Sequence, residues 1–267
     1  MLFLDKLRAA QAATGAALCV GLDPDPARLP ASLADLPIHE AVVRFNRAIV
    51  EATSDLACAY KPNLAFYEAL GTDGWRALEA TLEAIPKDRL TIADGKRGDI
   101  GNTAKRYAAA FFDTLGVDAV TVTPYMGRDA IRPFLDAPHG CAFVLVATSN
   151  PSGADFQDIV FESRPVHAHV ADLAVEIATD APGSVGFVVG ATRPEILTAL
   201  RWAHPNVPFL VPGVGAQGGS AEAVLDANAG GPLLVNSSRG ILYASSGDDF
   251  AEAARTAAQA LAATLPV

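Results

Sequence analysis

The chain has 267 residues, is 51% hydrophobic and 19% charged, and carries a formal net charge of −10. This composition supplies a large buried core and excludes a disordered chain. No apolar run approaches the roughly 20 residues of a membrane-spanning helix, and the acidic excess would repel nucleic acid and anionic membranes. We therefore expect a globular cytoplasmic protein whose partner is neither a nucleic acid nor a membrane.

The predicted elements begin with the segment MLFLDKLRAAQ, in which Asp5 and Lys6 interrupt the apolar start. This pattern favours an amphipathic helix over a signal peptide or a membrane anchor. Eight apolar or β-branched runs follow, at residues 17–23, 56–63, 90–97, 119–125, 142–149, 185–191, 208–214 and 233–240. Helical periodicity occupies segments between and after them, at residues 39–55, 103–116, 164–180, 193–204 and 248–265.

The eight runs are nearly continuous in apolar character, which is typical of parallel strands covered on both faces. Their alternation with helices predicts a (β/α)₈ TIM barrel, with a doubly wound sheet as the alternative. No Ser- or Pro-rich linker divides the chain, so we expect one domain over residues 1–267. Unusually long connections, at 24–37 and 150–163, follow the first and the fifth strand, and such loops lie at the C-terminal mouth of a barrel.

Polar side chains gather where the predicted strands end. They are Asp23, Lys61, Asn63, Asp94, Lys96, Thr123, Thr148 to Asn150, Gln217 and Ser237 to Arg239. A barrel needs none of them for its stability at that rim, whereas the catalytic groups of barrel enzymes come from the ends of several strands. The pattern therefore predicts an enzyme.

The run DGKRGD, from Asp94 to Asp99, is the densest of these clusters. Asp94 and Lys96 are two apart on one strand and should share a face, with Lys61 as a lateral neighbour. Carboxylates on both sides of Lys96 would raise its pKa, which disfavours an imine-forming lysine and favours a fixed ammonium. Such a group could stabilise a carbanion and then protonate it. The alternative is an ion-pair cluster that ties strand ends together.

Two glycine-containing segments, 213–219 and 236–240, follow the seventh and eighth strands. Loops at these places in a barrel often bind phosphate through backbone N–H groups, and Arg239 would add a bidentate partner. Two ordinary turns remain the alternative. The first segment also matches G-x-G-x-x-G, but at the seventh strand this is a weak dinucleotide signal.

Three cysteines, Cys19, Cys58 and Cys141, lie inside apolar runs and predict reduced, buried thiols. His167 and His169 form a His-x-His pair, but they open a helical segment and no other histidine ends a strand. We therefore expect no metal site.

The run DGKRGDIGNT (94–103) closely resembles the signature of orotidine 5′-monophosphate decarboxylases, a D-x-K-x-x-D core followed by a threonine. Further matches are GLDPDP (21–26), FNRAIVEATSDLACAYKPN (45–63), ATSNPSG (147–153), VPGVGAQGG (211–219) and NSSRGILYAS (236–245). The YKPN and TSNP elements resemble the longer bacterial (type 2) branch. The resemblance implies loss of CO₂ from orotidine 5′-monophosphate to give uridine 5′-monophosphate, the final step of de novo UMP biosynthesis, without a cofactor or metal.

The resemblance also implies roles for the charged residues. Lys96 would stabilise and protonate the carbanion at C6, and Asp94 would lie against the substrate carboxylate. Lys61 would bind the ribose and orient Asp94, and Asp23 would bind a ribose hydroxyl.

Further roles follow from the same resemblance. Asp99 and Thr103 would enter the neighbouring site of a homodimer with shared active sites. Ser149 would contact the pyrimidine. The phosphate would be held by Gly215, Gln217, Arg239 and Gly240, with the loop 213–220 as part of a lid. Two alternatives stay open: a Mg²⁺-dependent sugar-phosphate aldolase or synthase of the same barrel superfamily, and a catalytically silent phosphate-binding barrel.

Overall fold

The computed structural model describes residues 1–215 and 218–267 of the chain. Within this part, eight strands follow one another around a closed barrel, and β1 pairs with both β2 and β8. The strands are β1 Leu18–Leu22, β2 Ala59–Pro62, β3 Leu90–Arg97, β4 Ala119–Val122, β5 Cys141–Ala147, β6 Ser184–Val189, β7 Phe209–Pro212 and β8 Leu233–Ser237. The pairings are parallel, as between β1 and β2 and between β5 and β6.

Each predicted run overlaps one of these strands, with starts that differ by three residues at most, so the barrel prediction is confirmed. β1, β2, β4 and β8 are buried along their whole length, which explains why their sequences show no alternation. The doubly wound alternative is wrong because the strand order closes on itself.

Helices separate the strands. They are α1 Phe3–Thr14, α2 Ile38–Thr53, α3 Leu64–Glu68, α4 Gly71–Ala84, α5 Gly101–Ala109, α6 Arg128–Ile131, α7 Val166–Ala178, α8 Pro194–Ala203, α9 Ala221–Asn228, α10 Arg239–Leu242 and α11 Phe250–Ala262. All predicted helical segments contain a helix, and a π-helical turn at Ala110–Thr114 continues α5. Five helices were not predicted: α3, α4, α6, α9 and α10. No helix in the described ranges is both long and apolar enough to span a membrane.

By proximity of its Cα atoms the described chain divides into two compact units. The major unit comprises residues 1–5 and 96–235, and the minor unit comprises residues 6–95 and 236–267. In the major unit Phe187 stacks on Phe209 with ring centroids 5.6 Å apart. In the minor unit Phe45 stacks on Phe250 at 5.2 Å. The single domain expected over the whole chain stays a prediction.

The two long connections are present. The connection after β1 contains short 3₁₀ turns at Pro26–Arg28 and Ala31–Leu33. The connection after β5 contains a 3₁₀ turn at Pro151–Asp155 and a small antiparallel hairpin that pairs residues 160–161 with residues 164–165.

Candidate active site

In the minor unit, β2 and β3 bring Lys61 and Asp94 together. The strands pair in parallel, and an isolated bridge between Asn63 and Asp94 extends the pairing. Lys61 Nζ lies 2.6 Å from Asp94 Oδ2, and the two side chains are only 5% and 11% exposed. The prediction that Lys61 is a lateral neighbour of Asp94 is confirmed.

The charge of Lys61 is fixed by its surroundings. Burial alone would lower its pKa, but the carboxylates of Asp94 and Asp23 and the hydrogen bond to Asp94 together raise the pKa above its usual value. Asp23 Oδ1 is itself buried and accepts no hydrogen bond within the described chain. Because buried polar atoms normally have partners, an acceptor of this kind is available to a ligand hydroxyl.

Lys96 has an unusual backbone for a strand residue. Its φ is +45°, in the left-handed region that non-glycine residues seldom adopt. The Lys96 N–H donates to Thr121 Oγ1 at 2.9 Å, and the Thr123 N–H donates to the Arg97 carbonyl at 2.8 Å. These bonds hold a conformation that costs about 1–3 kcal/mol in isolation, and such strain is often found at functional sites.

The shared face that strand alternation predicts for Asp94 and Lys96 stays a prediction. Strand alternation applies to extended backbone, and the backbone leaves that region at Lys96.

The segment after Lys96 turns sharply into α5. Gly98 is required here because a Cβ atom would collide with the Thr123 side chain. Asp99 Oδ1 accepts a hydrogen bond from the Ile100 N–H at 2.7 Å. Thr103 lies exposed in the first turn of α5. The roles expected for Asp99 and Thr103 need a second subunit and stay predictions.

Ser149 follows β5 and packs against Gly190, where a Cβ would come within 2.8 Å of the Ser149 backbone N. The preceding residue, Thr148, is clamped by Gln157 from the long connection. Gln157 Oε1 accepts from the Thr148 N–H, and Gln157 Nε2 donates to Thr148 Oγ1, both at 2.9 Å. Sequence reasoning missed Gln157, because nothing in a polar loop distinguishes this glutamine from its neighbours.

The segment after β7 forms a glycine-dependent turn. Gly213, Gly215 and Gly218 have φ values of +103°, +75° and +87°, which side-chain-bearing residues rarely adopt. The Gly215 N–H donates to the Gly219 carbonyl at 3.0 Å. Ser220 then caps α9 by accepting from the Ala223 N–H. Gln217 lies outside the described residues.

Arg239 and Gly240 lie exposed in α10, directly after β8. The β8 end approaches β1 closely, because a Cβ on Gly21 would collide with Ser238 Oγ. Tyr243 ends α10, and its hydroxyl donates to the Asp23 carbonyl at 2.8 Å. Sequence reasoning missed this tyrosine, which lies beyond the strand end.

The remaining candidate groups have structural partners. Cys19, Cys58 and Cys141 are buried free thiols, and burial raises the pKa of Cys58 to about 12. The ring nitrogens of His167 and His169 lie within 3.0 Å of the Gln157 and Phe161 carbonyls. Over the described ranges, no group of three or more His, Cys, Asp or Glu residues is arranged to hold a metal ion.

A closed (β/α)₈ barrel with a buried lysine–aspartate pair and further polar groups at its strand ends defines the chain as a barrel enzyme. The chain belongs to the orotidine 5′-phosphate decarboxylase / HUMPS family, whose model matches residues 16–256.

Relatives of known sequence and structure agree with this assignment. The chain is 50% identical over 261 residues to the orotidine 5′-phosphate decarboxylase of Herpetosiphon aurantiacus, which covers 97% of this chain and 96% of that protein. It is also 50% identical over 266 residues to the enzyme of the same name from Roseiflexus castenholzii, covering 98% and 96%. The structure of Leishmania donovani OMP decarboxylase superposes with a TM-score of 0.85 at 37% identity, covering 98% and 96%.

Proposed function

We propose that this protein is a carboxy-lyase that converts orotidine 5′-monophosphate into uridine 5′-monophosphate and CO₂. The observation that carries the proposal is the buried Lys61–Asp94 pair, which lies beside an Asp23 carboxylate with an open acceptor atom. This arrangement occurs in a chain of the decarboxylase family. The reaction is the final step of de novo UMP biosynthesis, and we place the protein in the cytoplasm.

The chemical difficulty lies in the electron pair that remains at C6 when the bond to CO₂ breaks, because no ring carbonyl is placed to delocalise it. A preorganised ammonium in a site without bulk water stabilises such a charge. We assign this role to Lys96. As CO₂ leaves, the electron pair at C6 takes a proton from Lys96 Nζ, and the resulting amine regains its proton from water.

Asp94 and Lys61 act at the group that leaves. Lys61 Nζ donates a hydrogen bond to Asp94 Oδ2 at 2.6 Å, so the aspartate side chain keeps one orientation. In our proposal Asp94 crowds the substrate carboxylate, Lys61 also binds the ribose, and the open Asp23 Oδ1 accepts a ribose hydroxyl. The left-handed backbone at Lys96 is the strained element of this preorganised set.

The pyrimidine and the phosphate are bound by the ends of later strands. Ser149 is assigned to the pyrimidine, and Gln157 holds the backbone of the preceding residue, Thr148. Gly215, Gln217, Arg239 and Gly240 are assigned to the phosphate. The phosphate is remote from the bond that breaks, so its binding energy can be used to close a lid that includes the loop 213–220.

Turnover without metal is the first test. Purified protein mixed with orotidine 5′-monophosphate should consume it equally fast with and without excess chelator, because no proposed step uses a metal ion. Loss of the orotate absorbance measures the rate.

Three other results would contradict the proposal. Phosphate binding without turnover would favour a catalytically silent barrel. Activity that appears only after Mg²⁺ is added, or conversion of a ketose phosphate, would favour the sugar-phosphate aldolase or synthase of the same superfamily.

We further propose a homodimer in which Asp99 and Thr103 complete the partner's site. Several apolar side chains of the major unit support this, because exposed apolar surface commonly marks an interface. They are Ile100, Tyr125, Met126, Phe156 and Phe161. Tyr125 and Phe156 are in ring contact, with centroids 6.4 Å apart.

Mixing two inactive variants tests the shared site. When Asp99→Ala and Lys96→Ala subunits exchange freely, half of the dimers are mixed and each mixed dimer has one intact site. Activity should therefore return to about one quarter of the parent value. The assay is orotidine 5′-monophosphate turnover after the variants are mixed.

A matched mixture serves as the control. Asp94 and Lys96 serve the same site from one subunit, so a mixture of Asp94→Ala and Lys96→Ala should stay inactive. If the Asp99→Ala mixture also stays inactive although the subunits exchange, Asp99 acts within its own subunit.

A further inference from the structure

Tyr243 joins two parts of the minor unit that are 220 residues apart in sequence. Its backbone N–H donates to the Arg239 carbonyl at 3.3 Å and closes α10. Its hydroxyl donates to the Asp23 carbonyl at 2.8 Å and accepts from the Asp25 N–H at 2.6 Å. A single side chain therefore ties the end of β1 to the short helix that carries Arg239.

The ring of Tyr243 is held in place independently of its hydroxyl. It stacks on Phe45, with ring centroids 5.9 Å apart and planes inclined by 18°. The Arg28 guanidinium also lies over the Tyr243 ring, with Cζ 3.8 Å from the ring centroid. Burial raises the pKa of Tyr243, so the hydroxyl keeps the proton that it donates to Asp23.

The Tyr243 hydroxyl binds the backbone of Asp23, whose side chain has an acceptor atom available to a ligand. Asp23 Oδ1 is buried and accepts no hydrogen bond within the part of the chain that the structure describes. Asp23 also contributes to the raised pKa of Lys61. A displacement of the Asp23 backbone would thus move the open acceptor.

We propose that the Tyr243 hydroxyl is a positioning group for substrate binding, which holds the ribose-binding Asp23 at a fixed distance from the phosphate-binding α10. This proposal rests on the proposed function. Ribose and phosphate are linked in one nucleotide, so both groups must be held at the spacing of the ligand before it binds. The hydroxyl acts through Asp23 and touches no reacting atom.

Tyr243→Phe is the informative variant because it removes the hydroxyl and keeps the stacked ring. We expect KM for orotidine 5′-monophosphate to rise roughly tenfold, the size of effect that one or two hydrogen bonds produce. The kcat value should change by less than about threefold, because Lys96 and Asp94 are untouched.

A double-mutant cycle with Asp23→Ala separates positioning from general stability. If the hydroxyl acts through Asp23, Tyr243→Phe should cost less than about twofold in kcat/KM when Asp23 is already alanine. The same tenfold loss in both backgrounds would overturn the proposal, as would an unchanged KM in the parent background. The affinity for uridine 5′-monophosphate gives a second measurement of the same cycle.

Tyr60→Phe is the matched control. The Tyr60 hydroxyl is also buried and lies 2.9 Å from Thr53 Oγ1, but it is assigned no part in substrate binding. This variant should lower the melting temperature and leave KM unchanged. Turnover by the parent chain tests the proposed function separately. An inactive parent would refute the proposed function, whereas additive effects of Tyr243→Phe and Asp23→Ala would refute only the positioning role of Tyr243.

Discussion

Replacing Lys96 with alanine is expected to lower kcat/KM for orotidine 5′-monophosphate by about 10⁴-fold or more, because one group both stabilises the carbanion and donates its proton. The loss should fall mainly on kcat, since the charge that Lys96 stabilises develops only as the bond to CO₂ breaks. Steady-state kinetics followed by orotate absorbance provide the measurement.

Lys105→Ala is a suitable control for this substitution. Lys105 is an exposed lysine of α5 in the same unit, outside the proposed site, and its removal should change kcat/KM by less than about twofold. The mechanism would be refuted if Lys96→Ala retained more than a tenth of the parent activity. Unfolding of Lys96→Ala must also be measured, because residue 96 has a strained backbone.

Arg201→Ala is expected to have the largest effect on stability. Arg201 is 4% exposed and its guanidinium donates to Asn228 Oδ1 and to backbone carbonyls. These carbonyls belong to His204, Pro205, Val207 and Pro232. Removing the side chain takes the donors from the buried Asn228 Oδ1 and from four part-buried carbonyls, so the free energy of unfolding should fall by roughly 3 kcal/mol or more. Urea denaturation measures this change.

Two further variants make the result specific. Burial lowers the pKa of Arg201 to about 10. A lysine at this position would keep a positive charge but would lack the planar set of N–H donors of the guanidinium group. Arg201→Lys should therefore fall between the parent and Arg201→Ala. Arg76, an exposed arginine 3.7 Å from Asp73, is the control, and Arg76→Ala should change the free energy of unfolding by about 0.5 kcal/mol or less. Equal urea midpoints for Arg201→Ala and Arg76→Ala would contradict the prediction.

The strands were predictable because burial on both faces makes each one a continuous apolar run. The helices were less so. α4 begins at Gly71 and contains Gly74, and glycine weakens any sequence signal for a helix. Glycine is needed at position 74 because α4 packs closely against α3, and a Cβ atom there would collide with the Tyr67 carbonyl.

Residues of the candidate site could be predicted where polar side chains lie at the ends of strands. Lys61 and Asp94 end neighbouring parallel strands, so their contact follows from the fold. The left-handed backbone of Lys96 could not be predicted from the sequence. Glycine and asparagine are the residues that usually indicate this conformation, and position 96 holds neither. Gln157 and Tyr243 act on residues distant in sequence, and periodicity reports only local geometry.

The minor unit is built from two chain segments that are distant in sequence, and this affects when it can be completed during translation. Residues 236–267 belong with residues 6–95, and the Ala17 N–H at the start of β1 donates to the Leu265 carbonyl. A ribosome synthesises residues 236–267 long after residues 6–95, whereas folding of nascent chains generally proceeds from the N-terminal side. The nascent chain therefore carries Asp23 and Lys61 without Tyr243 or Arg239 until all of the major unit from residue 96 to residue 235 has been synthesised.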